Sequence, residues 1–138
     1  MGRSYVKDTT NFVQIIQSLD NTLPEPPILA TLDVTSLYTN IPNEEGITAC
    51  SRALERHRHD DGTPSNSSLV KLLRWVLTMN TFRFYGKHYL QVGGTAMGTR
   101  AAPNYAVIFM NDFEEQHVYS YHLQPLVWKR YIDDIFMI

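Results

Sequence analysis

Two apolar runs, Leu126-Val127-Trp128 and Ile135-Phe136-Met137-Ile138, stand on either side of Tyr131-Ile132-Asp133-Asp134. Short apolar runs bracketing a polar break read as strands, so this stretch predicts two strands joined at or beside an adjacent carboxylate pair. No other segment restricts the fold as much. Two unpaired anions are costly to bury, so Asp133 and Asp134 must meet water or a cation, and hard divalent metals take oxygen ligands. Taken alone, the pair also reads as a solvated turn, because Asp is a common turn residue. A chemical role requires a further oxygen ligand from elsewhere in the chain and a substrate-binding context.

A matching acid lies upstream. Thr9 or Thr10 is placed to cap a helix running to about Asp20, with Phe12, Ile15, Ile16 and Leu19 on one face. Pro24, Pro26 and Pro27 then break regular structure. Ile28-Leu29-Ala30-Thr31-Leu32 reads as a core strand, and Asp33 follows at its carboxyl edge. That is a ligand position, and equally the position of a turn residue or helix cap.

A length of 138 residues fits one domain, and 43% hydrophobic content suffices for a core. The net charge of −2 does not describe a wholly basic nucleic-acid binder, but the average hides segregation. Lys71, Arg74, Arg83, Lys87 and Arg100 lie in a stretch from Ser65 to Asn111 that has no acid, and the acids flank it. Cys50 is the sole cysteine, which excludes an internal disulfide framework and a cysteine-based zinc cluster. The start lacks a secretory signal core and no run is long enough to span a membrane, so an intracellular location is expected. Ending inside an apolar run reads as a fragment of something longer.

Between the acids, Asn43 is placed to cap a helix whose Glu44 and Glu45 face first-turn amides, with Ile47, Cys50, Ala53 or Leu54, and His57 on its apolar side. Asp60 to Asn66 is a loop. A helix from Ser67 or Ser68 to about Met79 is expected to bury Leu69, Leu72, Leu73, Val76 and Leu77. Phe82 and Phe84, then Tyr89, Leu90 and Val92, alternate around a turn at Tyr85-Gly86-Lys87 and predict a strand pair. Arg83 and Lys87 amid these aromatics suit a nucleic-acid backbone and stacked bases, or simply solvent beside a core. Gly93 to Pro103 is rich in glycine and small side chains and feeds a helix expected to reach about Tyr121. It lacks the Gly-Lys-Ser/Thr element of an ATPase phosphate loop. His117 and His122 do not share a helical face as a ligand pair.

In order, Leu32-Asp33-Val34-Thr35-Ser36-Leu37-Tyr38, Gly94 to Pro103, and Tyr131-Ile132-Asp133-Asp134 resemble the palm motifs of reverse transcriptases. The wording is most similar to the Penelope-like retroelement branch, through Ser36 to Pro42 and the Met97-Gly98-Thr99 segment before Ala102-Pro103. The resemblance implies an α+β fold: a right-hand polymerase palm with an antiparallel sheet backed by helices, incomplete fingers and no thumb. The whole chain, 1–138, would be a partial reverse transcriptase domain with its palm core at about 28–138. It implies RNA-directed DNA polymerisation, with two Mg2+ about 4 Å apart, or Mn2+ in their place, serving primer 3′-hydroxyl and triphosphate. Asp33 and Asp133 are the expected principal ligands and catalytic acids, with Asp134 a third.

Tyr38 falls where the family places an aromatic gate against the ribose 2′-hydroxyl. Met97 stands where many relatives have Gln, which removes a polar contact and leaves Gly98 as backbone access and Pro103 as the start of the supporting helix. Arg100 is a candidate phosphate contact, and Tyr131 a packing or primer-terminus residue. Expected partners are template RNA or DNA, primer DNA and dNTPs, together with fingers, thumb and nuclease regions of a longer protein. Nuclear action fits retroelement replication, and no membrane is involved. Only 32 residues precede Asp33, and Lys7 does not replace the basic fingers residues of the family. The isolated chain is therefore expected to have little or no polymerase activity. Two other readings use the same residues: a different two-metal phosphodiester-processing enzyme, for which the histidines supply no convincing water-positioning base, and a noncatalytic nucleic-acid-binding module.

Overall fold

The computed structural model describes residues 2–19, 23, 26–58 and 63–138. Asp60 and Asp61 of the expected loop, and Pro24 of the proline break, lie outside the described residues. The chain forms two compact units: residues 1–35 with 115–138, and residues 36–114.

In the first unit, α1 (Thr9–Gln17) is capped by Asp8, whose carboxylate accepts from the Asn11 amide at 2.8 Å. The cap is thus the residue before Thr9, since an acid in extended backbone serves the first-turn amides better than a threonine already inside the helix. Phe12, Ile15, Ile16 and Leu19 are half-buried, as the spacing predicts. Three strands, β1 (Ala30–Asp33), β4 (Trp128–Tyr131) and β5 (Asp134–Met137), form an antiparallel sheet in the order β1-β5-β4. β1 starts two residues later than the apolar run suggests, because Ile28 and Leu29 are exposed and unpaired in the ladder. Residues 4–6 run parallel to β4, with Arg130 N–H donating to Ser4 O at 2.7 Å and Val6 N–H to Arg130 O at 2.9 Å. Phe12 and Phe136 of β5 meet edge-to-face with centroids 5.3 Å apart, which sets α1 against one face of the sheet.

In the second unit, the short α2 (Leu37–Asn40) leads to α3 (Asn43–His57), α4 (Asn66–Thr78), a hairpin of β2 (Thr81–Phe84) and β3 (Lys87–Leu90), and α5 (Ala102–His117), whose last turn runs past the unit boundary. Pro42, not Asn43, stands at the N-cap of α3, and Asn43 begins the helix. Glu44 and Glu45 sit in the first turn as expected, and Glu44 takes the Arg74 guanidinium of α4 through both oxygens. His57 is exposed, off the apolar face. Ser65 caps α4 by accepting from the Ser68 amide at 3.2 Å. Of the apolar positions expected to be buried on α4, Leu77 is, whereas Leu72 and Val76 are exposed. Helical spacing defines a stripe but does not say how much of it a neighbour covers.

The β2–β3 hairpin turns at Tyr85 and Gly86, both at positive φ, the pattern of a type I′ connection. α5 ends at His117, short of the Tyr121 expected from sequence, and residues 118–123 continue as turns and bends. Among the described residues, no helix is long and apolar enough to cross a membrane.

Candidate active site

The register of the sheet decides which acids meet. Asp33, the last residue of β1, pairs directly with Asp134, the first residue of β5, and Asp134 pairs on its other side with Tyr131. Directly opposed residues project on the same face, so two carboxylates that are 101 positions apart in sequence become cross-strand neighbours. Both are exposed, and neither forms an ion pair among the described residues. Like charges in this relation destabilise a sheet unless something neutralises them. Asp133 occupies the turn between β4 and β5 and is half-buried, and its carbonyl accepts from the Val34 amide at 3.1 Å. That bond ties the tip of the hairpin to the end of β1.

The turn is strained. Ile132 has φ 57 and Asp133 does not share the positive sign, the pattern of a type II′ turn. A β-branched residue in this region costs on the order of 1–3 kcal/mol and persists only where its surroundings enforce it. Arg130 is one such enforcer: its side chain is buried, and Nη1 donates to the Ile132 carbonyl at 2.9 Å. Neither Arg130 nor the strain at Ile132 was legible from sequence. A basic residue in a short strand ordinarily means solvent, and only its two-residue distance from the turn hints otherwise.

Asp33 and Asp134 line a groove of about 790 Å³ with Phe12, Lys129, Tyr131 and Phe136 among its other walls. Asp8 contributes a third carboxylate to the lining, but it is committed to the α1 cap. Lys129 donates to the Arg3 carbonyl at 2.8 Å. Asp133 is not part of the lining. Among the described residues, no group of three or more His, Cys, Asp or Glu side chains forms a ready metal cage. The Asp33–Asp134 pair nonetheless fits Mg2+, which dehydrates reluctantly and is held by one or two carboxylates with waters and substrate phosphates completing its shell.

The remaining candidates belong to the second unit. Tyr38 lies in α2, half-buried, and its carbonyl accepts from the Thr95 amide at 2.7 Å. The segment after Asp33 and the glycine-rich segment are thus joined through their backbones. The glycine that makes this junction possible is Gly94. It has φ +67, and a Cβ there would lie 2.6 Å from the Thr39 backbone. Sequence reasoning singled out Gly98 instead. Gly98 has φ +95 but faces open space, so its need for glycine is conformational and not a matter of close approach. Met97 and Arg100 are exposed, and Arg100 forms no ion pair among the described residues. Pro103 is the second residue of α5, where its missing N–H costs no helical bond.

Cys50 is a core residue, its thiol pushed up to about 11 by burial and then by the Asp112 carboxylate. Burial, with Cys50 nearby, likewise pushes the Tyr105 phenol up to about 12.

The sequence matches no protein-family model and no curated protein. Solved structures do match the fold. The apo telomerase of Candida tropicalis, truncated from its C-terminal domain, superposes with a TM-score of 0.73 at 12% identity, covering 98% of this chain and 29% of that one. A second apo telomerase structure from Candida tropicalis gives 0.73 at 13% identity over 98% of this chain and 27% of that one. Telomerase is a reverse-transcriptase-related polymerase. The fold is distantly reverse-transcriptase-like. The chain spans less than a third of the length of either telomerase.

Proposed function

We propose that this chain carries the catalytic palm of an RNA-directed DNA polymerase of the Penelope-like kind, transferring a nucleotide from a dNTP to a primer 3′-hydroxyl. The observation that carries the reading is the register pairing Asp33 with Asp134 at the tip of a strained hairpin, within a reverse-transcriptase-like fold. Asp33, Asp133 and Asp134 would hold the divalent cation, Mg2+ or Mn2+. When bound, the metal supplies charge neutralisation at the triphosphate and a lowered pKa for the attacking hydroxyl.

The protein's own contribution is placement. Arg130 fixes the turn from behind, and the Val34–Asp133 backbone bond fixes the two acid-bearing segments against each other. In this reading Tyr131 packs against the primer end or the neighbouring strand, and Tyr38 stands against the sugar and favours dNTPs. Gly98 gives backbone access to the nascent pair, Met97 makes an apolar contact there, Arg100 meets a phosphate, and Pro103 starts the supporting helix.

Template RNA or DNA, primer DNA and dNTPs are the proposed partners, with nuclear action in a retroelement cycle. Extension of a DNA primer on an RNA template by the natural protein that contains these residues tests the reading. Incorporation should fall by about 100-fold or more in Asp33→Asn and in Asp134→Asn, since metal-borne stabilisation is worth several kcal/mol. Incorporation indifferent to both changes would contradict it.

A further inference from the structure

The β2–β3 hairpin has two unlike faces, and neither is covered by the rest of its unit. Register places Phe82 opposite Tyr89 and Phe84 opposite Lys87, so these four project together. Arg83 opposite His88 and Thr81 opposite Leu90 form the other face. Phe82, Phe84 and Tyr89 are 51%, 57% and 42% exposed, far from the burial that aromatics in a core reach. The rings nevertheless touch one another: Phe82 stacks on Tyr89 with centroids 5.5 Å apart, and Phe84 and Tyr85 meet edge-to-face at 4.6 Å. An isolated two-stranded ribbon is marginal in water, so an exposed aromatic ribbon of this kind implies an occupant.

Charge chooses among occupants. Arg83 and Lys87 form no ion pair among the described residues, and the sequence from Ser65 to Asn111 holds no acid that could serve them. An anionic partner with flat apolar surfaces satisfies both faces at once. We propose that this hairpin is a stacking platform for single-stranded nucleic acid. Rings on one face of a strand repeat every two residues, about 6.8 Å. Bases in a duplex strand repeat about every 3.4 Å. A chain laid across Phe82 and Phe84 must therefore be drawn out of its helical stack, which favours an extended single strand over a duplex. Lys87 then meets phosphates beside the rings, and Arg83, on the opposite face, meets them round the edge of the ribbon.

The test is fluorescence anisotropy of a labelled single-stranded oligonucleotide of about 15 nucleotides, titrated with this chain, with an unlabelled duplex of the same sequence as competitor. Phe84→Ala and Phe84→Leu should each weaken binding about ten-fold, because Leu keeps the bulk and loses the flat ring. Phe84→Trp should restore it. Arg83→Gln with Lys87→Gln should flatten the dependence of log affinity on log salt by about 1.4. The polymerase reading is tested separately, by primer extension with Asp33→Asn, so its failure is distinguishable from failure of this one. Binding unchanged by Phe84→Leu, or a duplex that competes better than the single strand, would overturn the proposal. So would hairpin changes that alter only the oligomeric state. That last outcome would assign the face, together with the exposed row Leu72, Trp75, Val76 and Met79 of α4, to a protein contact.

Discussion

At the scale of single residues, two positions separate space from conformation. Gly93 and Gly94 are adjacent, yet nothing lies within 4 Å of a Cβ built on Gly93, whereas one on Gly94 would strike Thr39 and would also need φ +67. Gly94→Ala should therefore destabilise by about 2 kcal/mol or more in urea unfolding, and Gly93→Ala by no more than about 0.5 kcal/mol. Cys50 gives a second check. The thiolate is the reactive form, and a buried thiol held up to about 11 should react slowly with a disulfide reagent at pH 8 until the chain unfolds. The same shift has a sign in stability. Between the ordinary thiol value of 9.0 and about 11, the unfolded chain loses a proton that the folded chain keeps, so stability should fall as pH rises through that window. A native Cys50 that reacts as fast as a free thiol would remove it from the core.

At the scale of elements, the sheet was more legible than its supports. Two apolar runs around an acid pair foretold the β4–β5 hairpin, and Ile28 to Leu32 foretold β1 to within two residues. Register was not legible. The ladder puts Asp134 opposite Asp33, because the two-residue turn takes Asp133 as one of its own central residues. Helix faces were read by period, which found Cys50 and Leu77 correctly but counted Leu72 and Val76 as buried. Period reports which side is apolar, whereas coverage depends on partners distant in sequence.

Arg130 escaped notice for the same reason, since its burial is set by tertiary packing. Replacing it by Met removes a charge-assisted bond to the Ile132 carbonyl and should cost about 1.5–3 kcal/mol in thermal or urea unfolding. An exposed-arginine effect, near zero, would show that the turn holds its strained form without it.

At the scale of the whole molecule, the likeness to telomerase rests on shape, at 12–13% identity, and the motifs rest on sequence. The sheet register adds a third observation, Asp33 opposite Asp134. The folded chain opposes two carboxylates that repel each other when nothing neutralises them, so cation binding and stability should be linked through this pair. Titration of the chain with Mn2+, followed by water proton relaxation, measures this directly. The parent chain should bind the ion, Asp33→Asn and Asp134→Asn should each lose most of that binding, and Mg2+ should displace it competitively. Binding of equal strength in all three proteins would contradict the assignment of this hairpin tip as a polymerase metal site.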